Sequence, residues 1–229
     1  MRANPHEGPM SDEMVDLRAE LFAAFLSNVP FDGWSPAALR AACTSLGKPA
    51  VTGMQAFPGG MVELAEYWSE TADAEMVDVL ESMNLSELRV RDRIATGVQV
   101  RIDTVAAHKE AVRSFSSFVA LPPNAPMVPR MAWKTCDAIW RAAGDTSTDH
   151  NHYTKRGLLL PVYTSTVLYW LADDGDETGD WPKTWEYLDR RIDNVIQVFG
   201  RLGKAGKAFQ RFIPGPLAPA FAPRAPKSA

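Results

Sequence analysis

Val29-Pro30-Phe31-Asp32-Gly33-Trp34-Ser35-Pro36-Ala37-Ala38-Leu39, continued through Gly47-Lys48-Pro49 to Phe57-Pro58-Gly59-Gly60, decides how the N-terminal half is read. Proline and glycine divide it into pieces of short-helix length. The Ser35 hydroxyl can accept from the open N–H groups of a first turn, and Pro36 has its φ already set for the first helical position. A helix is therefore predicted through Leu39, Ala42 and Leu46 to Gly47, and a shorter one over residues 49–57. Upstream, Val15, Leu17, Leu21, Phe22, Phe25, Leu26 and Val29 recur at helical spacing from Asp12, and Pro30 ends the pattern. Downstream, residues 61–83 read as a long helix with Val62, Leu64, Ala65, Trp68, Met76, Val79 and Leu80 on its buried side.

Three short helices followed by a long one make the N-terminal layout of TetR-type regulators, so the predicted fold class is all-α, a TetR-like helical bundle with a helix-turn-helix-like first portion. Charge tests whether that portion reads DNA. Affinity for duplex comes mainly from Lys and Arg neutralising phosphates. Between Pro49 and Leu88 there is no Lys or Arg, whereas Glu63, Glu66, Glu70, Asp73, Glu75, Asp78, Glu81 and Glu87 all fall there. No nucleic-acid partner is expected.

A chain of 229 residues with 46% hydrophobic content can bury a sizeable core, and a net charge of −4 does not suit a general polyanion binder. Residues 86–118 form a further helical block that opens on Arg89, Arg91, Arg93 and Arg101; Gly97 either interrupts it or thins it. The arginines read as a solvated face, with a docking patch for lipid headgroups as the alternative. Leu121-Pro122-Pro123-Asn124-Ala125-Pro126 is a loop. Residues 128–142 are helical again, and their tryptophans suit a core or a pocket. Cys43 and Cys136 have no partner at metal spacing and read as buried or half-buried thiols.

Gly144-Asp145-Thr146-Ser147-Thr148-Asp149-His150-Asn151-His152-Tyr153-Thr154-Lys155-Arg156 is the densest polar stretch. Asp145, Ser147 or Asp149 can cap a helix starting near Asp149, whose outer stripe would carry Asn151 and Lys155. The run that follows, residues 157–172, is helical, nearly uncharged and apolar on most sides, hence predicted to be central, with Pro161 kinking it or opening one hydrogen bond. Leu159, Val162, Tyr163, Thr166, Tyr169 and Trp170 either line a cavity between helices or fill a closed core. Phe115, Phe118 and Trp133 join the candidate lipid-binding set. An acidic loop over 173–180 precedes a helix from Trp181-Pro182 that carries Trp185, Leu188, Ile192, Val195 and Ile196.

On a wheel of residues 199–213, Phe199, Leu202, Gly206, Phe209, Phe212 and Ile213 share one side and Arg201, Lys204, Lys207 and Arg211 the other. Such a basic amphipathic segment suits an anionic bilayer surface; docking on the bundle is the alternative. No apolar stretch is long enough to span a bilayer. Residues 1–14 fit neither a secretory signal nor a long transit peptide, which leads to an expected cytoplasmic location, peripheral to the inner membrane. Di-iron chemistry in a bundle needs Glu-x-x-His, and no Glu stands three residues before His6, His108, His150 or His152. His150 and His152 would point about 200° apart on a helix. No metal, cofactor or catalytic residue is expected.

The polar stretch, with Val162-Tyr163-Thr164-Ser165-Thr166, Thr184-Trp185-Glu186-Tyr187-Leu188-Asp189-Arg190-Arg191-Ile192 and, earlier, Val29-Pro30-Phe31-Asp32-Gly33-Trp34-Ser35 and Phe57-Pro58-Gly59-Gly60, closely resembles the COQ-nine family of ubiquinone-biosynthesis accessory proteins. The resemblance implies a TetR-like cavity that binds an isoprenoid lipid or quinone intermediate, a homodimer, and delivery to the demethoxyubiquinone hydroxylase, a di-iron enzyme. It implies that Trp140, Asp145, Ser147, Asp149, Asn151, His152, Tyr153 and Arg156 form the docking patch for that partner. Two departures stand out: a tryptophan found in relatives at the position of His152 is absent, and Pro161 is present. The expected organisation is a flexible terminus (1–9), the helix-turn-helix-like portion (10–57), the ligand-binding bundle (58–198), the amphipathic helix (199–213) and a disordered tail (214–229).

Overall fold

The computed structural model describes residues 11–148 and 150–209, with 150 and 198–209 as helix backbone only. In chain order the helices are α1 (Asp12–Asp32), α2 (Pro36–Ser45), α3 (Ala50–Ala56), α4 (Gly60–Ser82), a 3-10 turn (Leu85–Glu87), α5 (Val90–Ala106), α6 (Lys109–Val119), α7 (Met127–Ala142), α8 (His150–Ala172) and α9 (Pro182–Phe209). Among the described residues no strand occurs. The Ser35 hydroxyl caps α2 as expected, accepting from Ala37 and Ala38 N–H at 3.2 and 3.4 Å, and Ser11 does the same for α1 through Met14.

Proline proves a weaker stop than expected. Helix α1 runs two residues past Pro30, because a proline in the last turn removes a single hydrogen bond. What ends it is Gly33, at φ +70°, whose N–H returns to the Val29 carbonyl at 2.8 Å. Helix α8 runs from His150 through Pro161 as one helix, so the capped start near 149 and the apolar run 157–172 belong together. The carbonyl that Pro161 cannot reach is that of exposed Gly157, where water can serve it.

The block over 86–118 breaks at Ala107-His108, between α5 and α6, and not at Gly97. Gly97 sits inside α5 against α7, where an added Cβ would stand 2.7 Å from Ile139 Cγ2. Its role is to let two helices approach.

Trp34 joins the first three helices to the rest. Its N–H donates to Ser114 Oγ at 2.8 Å, its indole N–H to the Met61 carbonyl at 3.2 Å, and its ring stacks on Trp68 with Phe25 and Phe115 edge-on. Arg18 of α1 bonds the Ala56 carbonyl at 3.1 Å and Glu63 at 2.7 Å and lies over Phe57, tying α1 to the α3–α4 junction. One continuous apolar core results, running from Leu21 to Ile192.

Helix α8 is not buried all round. Leu159, Val162, Thr166 and Trp170 form its buried stripe, while Pro161 and Leu168 face outward. The arginines of α5 are not a solvated face either: Arg91 holds Asp189 and Asp193 of α9, Arg93 holds the carbonyls of Ser86, Leu88 and Ala143, and Arg101 is buried. The exposed side of α3 shows Val51 and Met54. The 199–213 segment continues α9 as backbone to Phe209, and its side chains lie outside the described residues. Residues 1–10, Asp149 and 210–229, including Arg211, Phe212 and Ile213, also lie outside them.

Candidate functional site

Helices α4 to α8 enclose a cavity of about 420 Å³. Its walls are apolar: Ala65 and Trp68 from α4, Ile102 and Val105 from α5, Val112 and Phe115 from α6, Val128 and Met131 from α7, Val167 from α8. Ala120, Ala125 and Leu168, also in the lining, are exposed and mark the mouth at the α6–α7 loop. Ser69, Arg101, Ser116, Thr135, Tyr163, Thr164 and Trp170 are the lining residues that carry polar side-chain groups.

Two of those residues meet a carboxylate. Arg101 Nε donates to Asp73 Oδ1 at 2.6 Å, and the Thr135 hydroxyl reaches both Asp73 oxygens at 2.9 and 3.0 Å. Burial still raises the Asp73 carboxyl above its ordinary range, with Arg101 and Thr135 pulling the other way. Burial opposes the charge on Arg101, yet Tyr163, Asp73 and Glu75 hold its guanidinium above the usual value. The Tyr163 phenol is pushed up by burial, against Arg101.

A second network closes the α7–α8 junction. Gly144, at φ +90°, turns the chain so that Asp145 comes to face α8. Asp145 then accepts from Lys155 Nζ at 2.6 Å, Arg156 Nη1 at 2.6 Å and Ser147 Oγ at 2.7 Å, while Arg156 Nε holds Asp137 at 2.7 Å. Burial pushes the Asp145 carboxyl upward, but Lys155, Ser147 and Arg156 overcome it and hold it well below the usual carboxylate range. The Trp140 indole donates to the Lys155 carbonyl at 3.1 Å, and the Lys155 ammonium lies 5.3 Å from its ring.

The residues expected to bind lipid are divided by the structure. Phe115, Tyr163 and Trp170 line the cavity. Leu159, Val162 and Thr166 lie outside its lining and are buried, the Thr166 hydroxyl on the Val162 carbonyl. Phe118 packs beside Trp34 and Phe115. Trp133 stacks on Tyr153 at 6.2 Å. Among those expected at the docking patch, Tyr153 and Asn151 are exposed and Trp140, Ser147 and His152 half-buried. Arg156 is 1% exposed and the Asp145 side chain 6%, because each is enclosed by its own ion pairs.

Arg101 and Thr135 were absent from the expected set. The spacing Ile94, Val98, Arg101, Val105 puts Arg101 on the apolar stripe of α5, a signal legible in sequence; its carboxylate, 28 residues earlier on another helix, is not. Both cysteines are buried, and burial pushes the Cys136 thiol up to about 12. Among the described residues no cluster of His, Cys, Asp and Glu could hold a metal ion, and no helix is long and apolar enough to cross a membrane.

Residues 125–199 match the COQ9 family model, a span that encloses the motifs between Gly144 and Ile192 but not those at residues 29–35 and 57–60. Curated relatives agree. The chain is 28% identical over 195 residues to the mitochondrial ubiquinone biosynthesis protein COQ9 of Rattus norvegicus, covering 82% of this chain and 61% of that protein. It is 26% identical over 189 residues to the probable ubiquinone biosynthesis protein coq9 of Dictyostelium discoideum (80% and 61%) and to human COQ9 (80% and 58%). The chain thus spans about three fifths of these relatives' length. In fold it is similar to the crystal structure of a TetR transcriptional regulator from Nitrosomonas europaea, with a TM-score of 0.63 at 16% identity over 80% of this chain and 99% of that one. The fold is all-α and TetR-like.

Proposed function

We propose that the chain is a non-catalytic accessory protein of ubiquinone biosynthesis, which takes an isoprenoid or quinone intermediate into the α4–α8 cavity and presents it at a membrane to the demethoxyubiquinone hydroxylase. The observation that carries this reading is the cavity. At about 420 Å³ it lies in the lower half of the range of roughly 300–1,000 Å³ usual for ligand pockets. It therefore suits one end of a polyprenyl molecule, with the remainder running past Leu168 at the mouth. Lifting such a lipid from a bilayer exposes apolar area at about 25 cal/mol per Å², a cost that falls when an apolar cavity receives it.

The names of the relatives support the pathway, and Tyr153 on α8, 66% exposed and stacked on Trp133 of α7, supports a partner surface at this junction. The basic 199–213 segment is the part suited to an anionic membrane, and exposed Ile196 is an apolar position that a homodimer would cover. The test is to purify the protein without detergent and extract it. A prenylated quinone intermediate in the extract supports the reading; a lipid-free protein that also takes up nothing from quinone-loaded vesicles overturns it. Pull-down of the hydroxylase and of anionic vesicles tests the partner and the membrane separately.

The TetR-like fold alone would equally suit a ligand-responsive regulator. Against that stands α3, which offers exposed Val51 and Met54 and no Lys or Arg to a phosphate backbone. A salt-dependent shift of duplex DNA would favour the regulator.

A further inference from the structure

Within the cavity lining, Arg101 has more donors than partners. Arg101 is 7% exposed and uses Nε on Asp73; among the described residues its two Nη groups make no hydrogen bond. Asp73 offers little more, since both its oxygens already accept from Thr135 and one from Arg101. A donor left without an acceptor in an apolar cavity is unfavourable, so a ligand that brings acceptor oxygen is favoured over one that brings donors.

Charge narrows the class. Asp73 and Arg101 offset each other, so a buried carboxylate ligand would add an uncompensated negative charge, with Glu75 close enough to be felt at Arg101. A neutral carbonyl avoids that. We propose that Arg101 forms a binding site for the carbonyl oxygen of a neutral lipid, held head inward, with its apolar remainder running out between Ala120, Ala125 and Leu168. This rests on the cavity reading above and adds the class and orientation of its ligand: a quinone ring or another neutral carbonyl head, and not a fatty-acid carboxylate.

The test uses the full chain and three probes: decylubiquinone, palmitate and squalene. Decylubiquinone binding is read from quenching of tryptophan fluorescence, Trp68 and Trp170 being in the cavity lining, and the other two from displacement of it. Wild-type protein is expected to bind decylubiquinone at least tenfold more tightly than palmitate. Replacing the ion pair by apolar residues of similar size, D73L/R101M, is expected to weaken decylubiquinone roughly tenfold or more and to change squalene less than threefold, since a hydrogen bond to a charged group is what is lost. Arg101→Lys keeps the pair but removes the Nη donors, and is expected to reproduce the selective loss should the double variant fail to fold. Palmitate binding as tightly as the quinone, or an equal loss for quinone and squalene in the variants, overturns the inference and leaves the cavity reading standing. No binding of any probe by the wild type overturns both.

Discussion

Two buried arginine–carboxylate pairs lie on opposite sides of α7, and their difference is instructive. At the α7–α8 junction Arg156 is fully engaged: Nε on Asp137, Nη1 on Asp145 and the His152 carbonyl, with Lys155 and Ser147 completing the shell of Asp145. At the cavity end Arg101 uses only Nε, and Asp73 has only Arg101 and Thr135. The same chemistry therefore gives opposite carboxyl shifts, below the ordinary range at Asp145 and above it at Asp73. Asp145 is less desolvated and has more donors, so there the donors win, whereas at Asp73 burial does. A saturated network is a lock, and an unsaturated one is a site.

The largest effect belongs to the lock. Arg156→Met is expected to cost about 3–5 kcal/mol, because it leaves Asp145 and Asp137 without their buried partner. D73L/R101M, which removes both charges, is expected to cost far less. Urea melts of the two compare them directly, and equal losses would erase the distinction.

Gly97→Ala comes next. Its methyl group would press on Ile139 and part α5 from α7, the helices that carry Arg101 and Thr135 to either side of Asp73. A loss of about 1–3 kcal/mol is expected, with weakened quinone binding.

Acid separates the two carboxylates by sign. The stability that Asp145 contributes is complete above its unfolded pKa near about 4 and is lost as pH falls through its lower folded value. Asp73, held above its ordinary value, adds stability below about pH 4 and loses it as pH climbs through its folded value. Asp145→Asn should cost about 1–2 kcal/mol at neutral pH and flatten the acid limb, while Asp73→Asn should leave that limb in place. Thermal melts from pH 2 to 7 check this. The smallest effect on stability is expected for Tyr153→Ala, within about 0.5 kcal/mol since the ring is largely exposed, while capture of the hydroxylase falls.

Much of this architecture was legible in the chain. Ser35-Pro36, the run from Val15 to Val29 and the acid-rich α4 disclosed the helices and argued against DNA before any contact was known. The motif around Asp145 disclosed the family resemblance, although the burial of Arg156 and Asp145 was not readable: polar residues at a helix start look alike whether they face a partner or one another. Pro30 misplaced the end of α1, because a missing N–H matters little near a helix end, whereas Pro161 lies inside α8 as the run 157–172 had it, beside a carbonyl that water can reach.

By itself the sequence determined the periodicities, the caps and the balance of charge, since these depend on neighbours within a turn or two of helix. Only the tertiary structure decided that Arg101 would meet Asp73 at the end of a hollow, that Gly97 would set the spacing of α5 and α7, and that Leu168 would stand at a mouth instead of in a core. Those outcomes depend on how five helices leave space between them. Packing of distant side chains fixes that space, and the local pattern of any one helix does not carry it.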